Sequence, residues 1–427
     1  MLIKYSDLTN AVDSVKAVLS DNKSEQVNIL LRFEAAENVT LVAYSDGRKA
    51  VVKKVDTEFF DGESVDRDVI VAFKQLSDIM EMAKPVGSLQ VSDIEIITEV
   101  DKKQLNFKVE KFVYLDAENE GEDAEKKVIA VLKQSFKYIS PEDDRRQKAL
   151  LSPNYSEMLG ESILDEEDGA EEGANTADVW ARADLIKVIS KVSAEDDKQI
   201  IMSARNNTVS VSNLNYTVWM PREEVQSALC MTVKMAKNIS EVFKRAAAEE
   251  VHVATKEGFC TVRDSEGTVA FWFESEKPLR KTLNVIEGYT GLAYDKFSLV
   301  VMKDAAANIV KCCGDVKDIA LEFKGDAING FKVKVGGNDS AIKSNDFELD
   351  TAEVVGDSEE LLKTTFKVNT ETFKAMLDLC DSVYVKVDFN VDEAGVAVVR
   401  VSDVSKTGGI VTRNMDCFTP VVYSVRN

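Results

Sequence analysis

The chain has 427 residues and a formal net charge of −22, from 53 lysines and arginines against 75 aspartates and glutamates. At about 100–200 residues per domain that length predicts two to four domains. The composition, 44% hydrophobic and 30% charged, is that of an ordinary globular chain. No run of about 18 apolar residues occurs, which excludes a spanning helix and any membrane role that needs one. The opening residues Met1 to Asp7 lack a basic stretch followed by an apolar core, so no secretory signal is expected and the chain reads as cytoplasmic.

Scarce residues exclude several chemistries. His252 is the only histidine, which removes zinc sites that need two imidazoles and leaves a Ser-His-Asp or Cys-His centre only that one base. It stands in Val251-His252-Val253-Ala254 and is expected to be a plain strand position. The cysteines are Cys230, Cys260, Cys312, Cys313, Cys380 and Cys417, with no C-x-x-C pair; most read as small buried hydrophobes in a reducing compartment. Neither a phosphate-binding G-x-x-x-x-G-K-[ST] loop nor a G-x-G-x-x-G turn is present, and the carboxylates form no compact ligand pattern. No cofactor and no metal are expected, and an enzyme is the weaker class.

In chain order, the spacing predicts a helix over 8–19, then strands over 28–33 and 39–46. A strand over 69–72, a helix over 74–83 and strands over 89–98 and 104–113 follow. Residues 118–125 are acidic and read as a loop. Residues 141–176 read as a linker or surface excursion, because the acidic tract 164–173 within them has no apolar periodicity. A third helix buries Leu185, Ile189 and Val192. The fourth runs over 235–248 after a strand at 231–233, burying Ile239, Val242, Phe243 and Ala246; strands over 251–255, 258–263 and 268–273 follow it. The fifth helix is expected to bury Ala305, Ile309 and Cys312. The sixth, over 370–380, buries Phe373, Met376, Leu377 and Cys380, between a strand at 366–368 and strands at 383–389 and 396–401.

Val12, Ile79, Ile189, Val242, Ile309 and Met376 mark the centres of the six helices. Successive centres are 67, 110, 53, 67 and 67 positions apart, and the longest interval contains the acidic excursion. The chain is a sixfold repeat of one unit: a short strand, a helix of about three turns, then two or three strands. Such βαβββ units imply an α+β fold with antiparallel sheets covered by helices on one face. Pairing the units gives three domains: residues 1–140, 177–284 and 285–427, with 141–176 between the first two.

The helix faces away from the apolar stripes carry cations in every repeat. They are Lys16, Lys74, Arg182, Lys187, Lys191, Lys237, Lys244, Arg245, Lys303, Lys311 and Lys374. One such residue signals only solubility. Their recurrence in a chain of net charge −22 points to a polyanion meeting the helices while the other surfaces repel it. No aromatic residue interleaves with them, so the expected contact is phosphate, without base readout. Asp7, Asp13, Asp78, Glu241 and Asp378 share the helices, so the binding is expected to be weak.

Six such units paired into three domains resemble the bacterial and phage sliding clamp, the beta subunit of replicative DNA polymerase. The opening helix followed by Asn28-Ile29-Leu30-Leu31-Arg32-Phe33 and Val39-Thr40-Leu41-Val42-Ala43-Tyr44-Ser45-Asp46 is similar to the start of that family. Phe366-Lys367-Val368-Asn369 is similar to its last domain. The resemblance covers all but about 141–176. It implies a head-to-tail homodimer, a ring with sheets outside and helices inside around double-stranded DNA, contacted without regard to sequence. It also implies a non-catalytic processivity factor that tethers the replicative polymerase, in a bacterial cell or a phage-infected one. Polymerase and clamp loader would bind through short linear peptides.

The resemblance places their pocket at Ser212, Thr217, Pro278, Pro420, Val421, Val422 and Tyr423. The chain end departs from the family's usual one, which is rich in methionine after the proline. An ordinary last strand packing its own domain is the other reading of Pro420 to Tyr423. Two further functions stay open: a repeat-built interaction scaffold that does not encircle DNA, and an acidic metal-dependent nuclease.

Overall fold

A short strand runs directly into a helix six times. β1 (Leu2–Lys4) enters α1 (Tyr5–Leu19), and β5 (Arg67–Ala72) enters α2 (Phe73–Ala83). β9 (Asp178–Ala181) enters α5 (Arg182–Val192), and β13 (Leu229–Thr232) enters α6 (Val233–Phe243). β17 (Phe297–Met302) enters α7 (Lys303–Cys312), and β21 (Thr364–Asn369) enters α8 (Thr370–Leu379). These come from a computed structural model that describes residues 1–19, 27–60, 66–114, 126–142, 147–160, 178–192, 199–205, 208–212, 217–221, 229–256, 258–277, 297–312, 317–326, 330–337, 347–356, 363–391, 397–407 and 410–425.

Local chemistry sets the helix ends. The Asn369 side chain accepts the Thr372 amide at 2.9 Å and caps α8, and Thr232 Oγ1 accepts the Met235 amide at 3.2 Å at the start of α6. α6 stops at Phe243 rather than near 248, because the carbonyls of Phe243, Lys244 and Ala246 turn toward Arg182 Nη1. In α7 the buried residues are Ala306 and Val310, while Cys312 is exposed. The expected stripe of Ala305, Ile309 and Cys312 is therefore one position off, a rotation of about 100°. The helix begins directly after Met302, which is exposed where Val301 before it is buried, so the strand's exit, not the apolar spacing, sets its rotation.

Three strands follow each helix. They are β2 (Asn28–Glu34), β3 (Val39–Ser45) and β4 (Lys49–Glu58), then β6 (Asp93–Glu99), β7 (Gln104–Tyr114) and β8 (Lys126–Lys137). The third and fourth repeats supply β10 (Gln199–Arg205), β11 (Thr208–Ser212) and β12 (Thr217–Pro221), then β14 (Glu250–Lys256), β15 (Phe259–Asp264) and β16 (Val269–Glu274). The last two supply β18 (Asp318–Asp326), β19 (Gly330–Gly337) and β20 (Phe347–Gly356), then β22 (Tyr384–Val391), β23 (Ala397–Thr407) and β24 (Ile410–Val425). All described strand pairs are antiparallel, as the α+β reading requires.

Leading strands are exchanged between neighbouring repeats. β1 pairs with β6 of the second repeat, and β5 pairs back with β2 of the first. β9 with β14 and β13 with β10 repeat the exchange, as do β17 with β22 and β21 with β18. A leading strand of three to six residues is too short to form a sheet alone. Each repeat thus completes its partner's sheet, and the repeats are locked as first with second, third with fourth, and fifth with sixth.

The chain packs as two compact units, Met1–Ile186 with Asn238–Ser275, and Lys187–Lys237 with Glu276–Asn427. The third and fourth repeats contribute strands to both units. In the second unit β24-β21-β18-β19-β20-β17-β22-β23 closes on itself through the β23–β24 pairing, and β13-β10-β11-β12 extends it from β24. In the first, β1-β4-β3-β2-β5 closes onto β8-β7-β6 through the Ile70–Ile139 bridge, and β9-β14-β15-β16 extends it from β4. Closure removes most strand edges.

A further expectation gives way between the first and second domains. Residues 141–176 are not simply a linker, because α3 (Lys148–Leu151) and α4 (Tyr155–Leu159) fold within them. Leu150, Tyr155, Met158 and Leu159 are buried in the core of the first unit. The acidic tract 164–173 and the expected loop 118–125 lie outside the described residues.

Candidate nucleic-acid interface

In the first unit α1 and α2 lie against each other, with Lys16 exposed in the last turn of α1 and Lys74 exposed at the start of α2. Arg245 is bound to Asp13 at 2.8 Å, and Lys244 pairs with Glu241 one turn back. Arg182 is half-buried and serves α6: its guanidinium donates to the carbonyls that end that helix, 3.4 Å from those of Phe243 and Lys244. A cation at a helix C-terminus is stabilised by the dipole, so Arg182 caps the end of α6.

In the second unit α7 and α8 lie against each other, with Lys311 and Lys374 exposed; Lys237 is exposed on α6. Lys187 is not open, since its Nζ lies 2.6 Å from Asp381 Oδ1. Lys303 donates to the Cys380 carbonyl, 3.1 Å away, at the end of α8. The Lys191 side chain lies outside the described residues. Arg182, Lys187, Lys244, Arg245 and Lys303 thus have partners within the chain: spacing finds the outward face of a helix, not what else reaches it. Asp78, Glu241, Asp304 and Asp378 are exposed on the same helices, so the field is mixed.

The expected pocket residues divide by position. Ser212 and Thr217 face each other across the β11–β12 hairpin, and Thr217 is opposite Phe418 of β24. Pro420 is opposite Val398 and Val421 opposite Ala397, while Val422 and Tyr423 are paired with Lys367 and Phe366. The second edge of β24 pairs with β12 through Phe418 and with β21 from Val422 onward. Between those ladders lie Thr419 to Val421, a place suited to Pro420, which has no amide hydrogen to give. The backbone therefore brings the two strand ends together. The side chains of all these residues, and Pro278 altogether, lie outside the described residues.

His252 is a β14 strand residue, paired with Arg263 and Val179, as expected. Cys230, Cys260, Cys380 and Cys417 are buried. Among the described residues no group of three or more His, Cys, Asp or Glu side chains could hold a metal ion, and no helix is long and apolar enough to cross a membrane. Sequence spacing missed a surface on β8, where Val128, Ile129 and Val131 are each about half exposed. The signal was a Val-Ile-Ala-Val run outside any of the predicted elements.

This architecture is the fold of DNA sliding clamps. The sliding clamp (DNA polymerase III subunit beta) of Pseudomonas aeruginosa matches 99% of the chain and 98% of its own length, with a TM-score of 0.64 and 12% identity. The beta subunit from the DNA polymerase of Streptococcus pyogenes matches 100% and 99%, at 0.63 and 12%. The Bacillus subtilis clamp matches 99% and 98%, at 0.63 and 9%. No protein-family model and no curated protein matches the sequence. At such identities the likeness establishes the fold alone.

Proposed function

We propose that the protein is a DNA sliding clamp: a homodimeric ring that encircles duplex DNA and tethers a replicative polymerase, without chemistry of its own. The carrying observation is the pairing of last strands. β4 of the first repeat pairs with β16 of the fourth, and β12 of the third pairs with β24 of the sixth. The rule is pairing with the repeat three further on. It leaves β20 of the fifth repeat and β8 of the second, and among the described ladders each keeps an open edge. β8 pairs with β7 alone until Ile139, and the edge of β20 opposite β19 is paired only from Thr351. Continued into a second copy, the rule joins β20 to that copy's β8. Such a head-to-tail contact closes after two chains of three strand-exchanged domains.

In this reading 1–140, 177–284 and 285–427 are the domains, and Lys16, Lys74, Lys237, Lys311 and Lys374 meet phosphates. The notch at Thr419 to Val421 with the Ser212–Thr217 hairpin takes the linear peptides of polymerase and loader, and the protein works in the cytoplasm of a bacterial or phage-infected cell. The capture of Arg182, Lys187, Lys303 and Arg245 by partners within the chain favours a second reading, an interaction scaffold that does not encircle DNA. One experiment separates them. A clamp loaded on circular DNA stays through a salt wash and slides off when the circle is cut, and class-averaged micrographs show a ring. Equal retention on cut and uncut DNA, or no ring, sinks the clamp reading.

A further inference from the structure

The segment α3–α4 lies across a joint. β3 is buried along its whole length, which requires cover on both faces; α1 covers one and α3 with α4 the other. The joint below is the β4–β16 pairing, where Val52 is opposite Ala270 and Ala50 opposite Trp272. Tyr155, Met158 and Leu159 share one buried cluster with Ala50 and Val52 of the first repeat and Ala270 of the fourth. Both ends are fastened, to different repeats. Toward the first, α3 packs on β2 and β3, and Ser156 Oγ donates to Glu34 at 3.4 Å. Toward the fourth, buried Arg263 donates to the carbonyls of Leu159 at 3.2 Å and Gly160 at 2.6 Å. Gly267, at φ +65°, brings its backbone so near that a Cβ there would stand 2.7 Å from the Leu159 oxygen. The Tyr155 hydroxyl, donating to the Leu150 carbonyl at 2.6 Å, ties the two short helices into one piece.

We propose that residues 147–160 are a clasp that holds the β4–β16 seam shut, so that the first and fourth repeats move as one body. The inference concerns the first unit alone and stands whether or not the protein encircles DNA. Tyr155→Ala with Leu159→Ala in the full chain, followed by amide hydrogen exchange, tests it. Amides of β4 and β16, including that of Lys54 held 2.8 Å from the Thr268 carbonyl, should exchange at least about tenfold faster. Those of β6–β7, and of β12–β24 in the other unit, should keep their protection. Unchanged protection at the seam overturns the proposal. So does acceleration spread evenly over the first unit, which would make the segment general core and not a clasp. Should the double variant not fold, Met158→Ala alone, a smaller lesion, carries the same comparison.

Discussion

Buried titratable side chains give the sharpest expectations at the residue scale. Burial pushes the thiols of Cys230 and Cys380 up to about 12 and that of Cys260 higher still, while Cys312 lies on the surface. A thiolate-selective reagent on the native protein should therefore modify Cys312 and spare Cys230, Cys260, Cys380 and Cys417, as read by peptide mass. His252 is held below its ordinary 6.5, first by burial and then by Arg263, and its Nδ1 has no partner. The folded state thus binds fewer protons than the unfolded one. The stability this group supports is present above pH 6.5 and is lost as pH falls below it. His252→Gln should gain on the wild type in urea unfolding below that pH and not above it. Asp388, fully buried, accepts from Arg400 Nε at 2.7 Å, and Arg400 is nearly buried. Arg400→Ala leaves that carboxylate short of a partner and should cost about 3–5 kcal/mol in unfolding free energy. The open pair Lys102–Glu99 should be removable without measurable loss.

Strands and helices answer to different signals. The six long helices lie where the apolar spacing predicts them, because a stripe at three and four residues has few other ways to be buried. Rotation about the helix axis was legible in α6 and α8 but not in α7, where few large apolar side chains compete with the geometry of the preceding strand. The short helices α3 and α4 were hidden by length: four and five residues show no period, and the neighbouring acidic tract weighs on any window that includes them. The edge of β8 is an element-scale feature too. Open hydrogen-bonding groups beside half-exposed Val128, Ile129 and Val131 invite another strand. Val128→Lys with Val131→Lys should convert a dimer of twice 47.3 kDa into monomers in sedimentation while leaving the circular dichroism spectrum unchanged. A dimer that survives both lysines places the contact elsewhere.

For the whole molecule the question is how a chain of net charge −22 would hold DNA if it works as the proposed clamp. Single cations contribute little at the surface, so the effect has to be collective. Changing Lys16, Lys74, Lys311 and Lys374 together to Ala removes up to four phosphate contacts. The dependence of log affinity on log salt should flatten by about 3–4. The same positions changed to Glu should abolish processive synthesis while sparing a peptide bound at the chain end. Lys187→Glu and Lys303→Glu are poorer probes, because they break the Asp381 and Cys380 contacts and perturb the second unit itself.

The amino-acid sequence by itself determined the sixfold repeat, the α+β class, the helix positions and the outward cationic faces. All of these are periodic and local, written within windows of a dozen residues. Only the tertiary structure decided the exchange of leading strands, the pairing of last strands three repeats apart, the occupation of Arg182, Lys187 and Lys303, and the path of residues 147–160 across a seam. Those depend on hydrogen bonds and contacts between residues far apart in the chain. Arg263 and Leu159 meet across more than a hundred residues, and nothing in the order of amino acids near either one names the other.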